Sequence, residues 1–117
     1  MSETGVGNIA NAPPSPGSDG ERFREAMSAR VLPALTAFAP DLLIISAGFD
    51  ADYRDPLASL NLEPDEFAWA TGKLMDVAAE RCGGRVISCL EGGYDLNALA
   101  EGTAAHVRVL MGQDGPA

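Results

Sequence analysis

Histidine occurs once in this sequence, at His106, and cysteine twice, at Cys82 and Cys89. A lone histidine excludes a self-contained multi-histidine zinc site and leaves any nucleophile–base–acid triad a single candidate base. Basic residues are scarce: Lys plus Arg number 8 against 17 for Asp plus Glu, a net charge of −9. That field repels a phosphate backbone, so nucleic acid is not an expected partner. No apolar run approaches the roughly 18 residues that a membrane span needs, and no membrane association is expected. The opening stretch, MSETGVGNIANAPPSPG, has neither a basic n-region nor an apolar core, so it does not read as a signal peptide. The cysteines, which do not form a C-x-x-C pair, are expected as reduced thiols in a cytoplasm. What is present is globular in composition: 46% hydrophobic and 21% charged over 117 residues, enough for one modest domain.

Residues 1–17 hold Pro13, Pro14 and Pro16 and read as an extended loop. Ser18 and Glu21 fit a capping box that opens a helix. Phe23, Met27, Val31 (or the stem of Arg30), Leu35 and Phe38 continue it at helical spacing. Pro33 should kink or split that helix, because it lacks an amide donor. Pro40-Asp41 stops it. Leu42 to Gly48, LLIISAG, is continuously apolar, the pattern of a strand buried on both faces. Pro64 suits the first turn of a second helix, with Asp65 and Glu66 at its positive end. Phe67, Trp69 and Leu74 read as its core side. Gly83-Gly84 ends it. RVISCL, Arg85 to Leu90, is a second buried-type strand. Asp95 is a suitable N-cap for a last helix reaching about Met111, and residues 113–117 form a tail.

Two such strands around a helix make a βαβ unit with parallel strands and a right-handed crossover. Two strands alone leave unpaired edges and apolar faces. Either the chain is one piece of a larger α/β domain, or it completes its sheet with a partner.

Ligands of open parallel sheets bind beyond the carboxyl ends of the strands. The loop after the first strand carries Asp50, Asp52, Tyr53, Arg54 and Asp55, and that after the second carries Glu91, Gly92, Gly93 and Tyr94. Neighbouring parallel strands bring Asp50 and Tyr94 to one rim. A carboxylate can ligate a metal, and a phenol can donate to a developing oxyanion. An isolated Asp after a strand also serves as a turn former or cap. Tyr94 has the plainer reading of a half-buried aromatic near a helix start. Asp52 and Asp55 read as loop-structuring residues. His106 reads as a packing or surface residue, and Cys82 and Cys89 as small buried hydrophobes. Ser46 lies inside a strand without a G-x-S-x-G elbow and is not a candidate nucleophile. No G-x-G-x-x-G follows either strand, which argues against a nucleotide-binding module.

The segments SAGFDADYRDPLASLNL and LEGGYDLNAL resemble the C-terminal part of the zinc-dependent histone deacetylase family. The likeness is greatest to bacterial deacetylase-like and acetylpolyamine-amidohydrolase-like members. GNIANAPPSPGS, running into ERFREAM, resembles a family segment that usually reads like GNIVNVPLPPGS. The resemblance extends from about Gly5 to Gly112. It implies an α/β architecture: the C-terminal βαβα portion of an arginase/deacetylase-type three-layer α/β/α fold with a parallel sheet, over residues 18–112. It implies that Asp50 takes the position of a Zn2+ ligand and Tyr94 that of the oxyanion-stabilising residue. Leu57, Gly92 and Gly93 fall where the family lines its acyl channel. Many bacterial relatives carry His where this chain has Asp52.

The activity so implied is hydrolysis of acetyl amides, on acetyl-lysine or an acetylated polyamine. The family's other zinc ligands come from an upstream D-x-H motif, and its general base from an upstream histidine pair. Neither is among these residues, so the chain by itself is expected to be inactive. It would need the N-terminal part of the domain in cis or in trans. The competing expectation is a truncated, non-catalytic chain or a partner-completing module.

Overall fold

The structure is a computed structural model, and it describes residues 8–12, 19–54 and 61–112. Ser18, the prolines at 13, 14 and 16, Asp55, Leu57 and the 113–117 tail lie outside the described residues. The elements run α1 (Gly20–Ala26), a π-helical turn (Met27–Val31), α2 (Leu32–Phe38), β1 (Leu43–Ala47), α3 (Pro64–Arg81), β2 (Val86–Leu90) and α4 (Leu96–Leu110).

The N-cap of α1 is Asp19, whose carboxylate accepts from the Arg22 amide at 3.2 Å. Pro33 acts upstream of itself. Its ring crowds the carbonyl four residues back, at Ala29, and it offers no amide. The helix absorbs this by widening across Met27–Val31, where the Leu32 N–H reaches Met27 O, five residues back. The expected interruption is therefore a π turn rather than a break. α2 ends at Ala39, a left-handed residue (φ 52°) whose N–H donates to Leu35 O. Pro64 opens α3 with Asp65 and Glu66 in its first turn, and left-handed Gly83 and Gly84 close it. Asp95 caps α4, accepting from the Ala98 amide at 2.8 Å.

β1 and β2 pair in parallel, in register from Leu43 opposite Val86 to Ala47 opposite Leu90. Side chains alternate across the pleat, so Leu43, Ile45 and Val86 share one face. That face meets α3: Leu43, Ala78 and Cys82 form a buried cluster, with Leu35, Ile45, Leu74 and Val86 against it. α4 lies on the same side, since its His106 bonds Ser88 of β2. Trp69 is buried, with Phe23 edge-on at 6.4 Å, as the core-facing reading of α3 requires.

The other face carries Ile44, Ser46, Ile87 and Cys89. Ile44 is 60% exposed and Ile87 50%. Among the described residues nothing covers it. The expectation of burial on both faces is met on one only, because α3 and α4 both lie on that side. Cys89 is accordingly exposed, not buried as expected, whereas Cys82 is buried. Covering a large aliphatic side chain is worth about 1.5–3 kcal/mol, so the exposed isoleucines represent stabilisation that the described residues do not collect.

Candidate functional site

The parallel ladder does not stop at the strand ends. Beyond Ala47 and Leu90, Glu91 N–H donates to Ala47 O at 2.9 Å, and Phe49 N–H donates to Gly92 O at 2.8 Å. These two bonds zip the β1 exit loop to the β2 exit loop. They bring Asp50 and the Gly92–Tyr94 segment onto one rim, as strand topology implied. Both Asp50 and Tyr94 are exposed there, Tyr94 by 57%. Tyr94 is followed at once by the N-cap of α4, which fixes where its backbone points.

The glycines of the rim have distinct reasons. A β-carbon on Gly92 would lie 2.8 Å from Asp50 Oδ2, and one on Gly48 3.2 Å from Oδ1. The Asp50 carboxylate thus folds over bare backbone. Gly93 has φ 147°, and its β-carbon would meet Leu99 Cδ1 at 3.0 Å, so both conformation and space call for glycine there. Gly92 was expected as channel lining; the contact it makes is with Asp50. Gly92→Ala is expected to leave thermal stability within a few degrees, since the neighbour is the end of a movable side chain, but to displace the carboxylate. Amide chemical shifts of Asp50 and Gly48 in the variant check this.

Asp52 is fully buried. It accepts from the Arg54 amide at 2.9 Å and from Arg54 Nε and Nη2, each at 3.0 Å. Arg54 Nη1 reaches Glu101 Oε2 on α4 at 2.7 Å. The hydrogen bonds from Asp52 and then Glu101 push the guanidinium further above its already high range. Asp52 also bridges Leu62, with Tyr53 N–H donating to Leu62 O and Leu62 N–H to Ala51 O. The loop-structuring reading of Asp52 holds, and its partners, Arg54 and Glu101, were not singled out. The two-residue Asp52–Arg54 offset was the available signal; Glu101, far along the chain, gave none. Phe49 is buried, and its place as a large apolar residue between Gly48 and Asp50 at a strand exit is the sequence signal of such an anchor.

A catalytic zinc takes about three protein ligands. Among the described residues no group of three or more His, Cys, Asp or Glu converges to hold a metal. Asp50 offers one carboxylate. Leu57 lies outside the described residues.

The profile of the histone deacetylase domain matches residues 1–110. The chain is 43% identical over 108 residues to type-2 histone deacetylase 1 of Dictyostelium discoideum, covering 92% of this chain and 7% of that protein. It is 40% identical over 92 residues to the histone deacetylase-like amidohydrolase of Pseudomonas aeruginosa, covering 79% of this chain and 24% of that one. Among solved structures, the histone deacetylase Clr3 superposes with a TM-score of 0.87 at 32% identity, over 97% of this chain and 18% of that chain. The chain spans about a third or less of the length of these curated relatives.

Proposed function

The chain belongs to the histone deacetylase family, and from that premise we propose that it supplies one side of a zinc-dependent amide-hydrolase site acting on acetyl-lysine or an acetylated polyamine. Asp50 is one metal donor of that site. Tyr94 is its catalytic residue, donating a phenolic hydrogen bond to the oxygen on which charge develops as the acetyl carbon becomes tetrahedral. Gly92 leaves room at the rim for the Asp50 carboxylate; by the family resemblance Gly92, Gly93 and Leu57 take acyl-channel positions. The remaining metal donors and the general base come from polypeptide outside these residues, in cis or in trans.

The observation that carries the reading is the zipped pair of exit loops, which sets a carboxylate and a phenol on one rim. A second reading is a non-catalytic module that completes a partner's sheet. It is favoured by the bare face of Ile44 and Ile87. The two part in one experiment: this chain replaces the matching segment of the Pseudomonas aeruginosa relative, and hydrolysis of an acetyl-lysine peptide is followed. The hydrolase reading expects turnover by the hybrid and none by the chain alone. A folded, zinc-loaded hybrid without turnover favours the module. Turnover by the chain alone refutes the shared site.

A further inference from the structure

His106 is the one histidine of the sequence, and it is buried. Its Nδ1 lies 2.7 Å from Thr71 Oγ1 on α3, and its Nε2 lies 2.8 Å from Ser88 Oγ on β2. Thr71 Oγ1 is also 2.7 Å from the carbonyl of Phe67, to which it donates. A hydroxyl has one proton to give, so Thr71 accepts from the imidazole. The Nδ1 atom therefore carries the proton, and Nε2 accepts from the Ser88 hydroxyl. The imidazole is a neutral cross-link between α3, β2 and its own helix, α4.

The ring stands edge-on to Phe49, with centroids 5.9 Å apart at 65°. Phe49 meets Phe67 in the same way, at 5.1 Å and 74°. It also lies against Gly102 of α4, where an added β-carbon would come within 2.7 Å of its Cδ1. Its amide is the group that bonds Gly92 O, and the next residue is Asp50. We propose that His106 is a positioning residue of the Asp50–Tyr94 rim, acting through Phe49: the cross-link fixes the seat of the ring, and the seated residue holds one exit loop against the other. The proposal rests on the hydrolase reading only for what the rim does; its geometry needs neither metal nor substrate.

A consequence concerns pH. Among the described residues, Thr71 from α3, Ser88 from β2 and Phe49 from the β1 exit face the imidazole. Beside it lies a cavity of about 250 Å³, with Phe23, Met27, Leu62 and Leu74 among its lining and no charged side chain there among the described residues. On its own helix, Glu101 is engaged with Arg54 and Arg108 is exposed. Among the described residues no carboxylate compensates an imidazolium, and burial lowers the proton affinity of the ring below its ordinary value of 6.5. A second proton turns Nε2 into a donor and obliges Ser88 to turn its own proton away. The folded affinity is the lower one, so the unfolded chain protonates first as pH falls. The stabilisation is complete above about 6.5 and is lost toward acid.

The test is nuclear magnetic resonance on the whole 15N-labelled chain, where the single histidine gives one unambiguous set of ring signals. At neutral pH, Nδ1 should show the shift of a proton-bearing nitrogen and Nε2 that of a lone-pair nitrogen. The ring should titrate below 6.5, and the amides of Phe49, Asp50 and Gly93 should move with the same midpoint. In His106→Gln, whose amide can still donate to Thr71 and accept from Ser88, those amides should keep their neutral-pH positions and stop titrating. The opposite tautomer, a midpoint at or above the ordinary value, or rim amides that ignore the ring's titration would each overturn the proposal. The wild-type measurements decide this even where the variant fails to fold. The result is independent of whether the hybrid enzyme hydrolyses acetyl-lysine, so the two readings fail separately.

Discussion

Tyr94→Phe, made in the hybrid that carries this chain in the Pseudomonas aeruginosa scaffold, is expected to lower kcat by roughly 100- to 1,000-fold with little change in KM. The ring is retained, so packing at the rim is preserved. What disappears is one hydroxyl, which in the proposed site donates to charge present in the transition state and weak in the ground state. Its loss falls on kcat for that reason. Steady-state hydrolysis of an acetyl-lysine peptide by both hybrids measures the ratio. A ratio near one would remove Tyr94 from the chemistry and leave it a surface aromatic, which its 57% exposure in the isolated chain would suit equally well.

Much of the frame behind that rim is legible in the residues alone. Pro64 with Asp65 and Glu66, Gly83-Gly84, and Asp95 punctuate the chain locally, and each does in the fold what its chemistry dictates. Two apolar strands around one helix leave little choice but a parallel pair, and parallel strands set both exit loops at one end. Local signals fail where the cause is distant or held by several segments. The π turn at Met27–Val31 answers to a proline beyond its end. Continuous apolarity in LLIISAG and RVISCL describes strands meant for cover on both sides, and the described residues cover one. Ile44, Ile87 and Cys89 therefore read as buried and stand exposed. His106 meets Thr71 and Ser88 across separations of 35 and 18 residues, which no spacing rule connects.

Phe49→Ala is expected to destabilise the chain by about 3–5 kcal/mol, the usual cost of deleting a buried aromatic ring. Phe49 is 3% exposed and sits among Phe67, His106 and Gly102. Against a stability of about 5–15 kcal/mol for a domain of ordinary size, that loss should lower the thermal midpoint by on the order of 10 °C or more. Gly102→Ala attacks the same contact from the other side. Its β-carbon would sit 2.7 Å from Phe49 Cδ1, and overpacking of this kind costs about 1–3 kcal/mol. Once Phe49 is alanine, the Gly102→Ala change should cost little, because the atom it strikes is gone. The double variant should therefore be clearly more stable than the sum of the single changes implies. Thermal unfolding of the four chains by far-UV circular dichroism measures this. Additive losses would mean that the two residues do not share a contact.

Metal binding bears most directly on the central claim, that this chain brings one donor to a site completed elsewhere. The purified chain is titrated with Zn2+ by isothermal calorimetry, and bound metal is counted after gel filtration. With Asp50 as its one proposed metal donor, the chain is expected to hold no stoichiometric zinc and to show no zinc-dependent rise in the unfolding midpoint. One tightly held equivalent, lost in Asp50→Ala, would mean that this chain assembles a complete metal centre by itself, and would contradict the account.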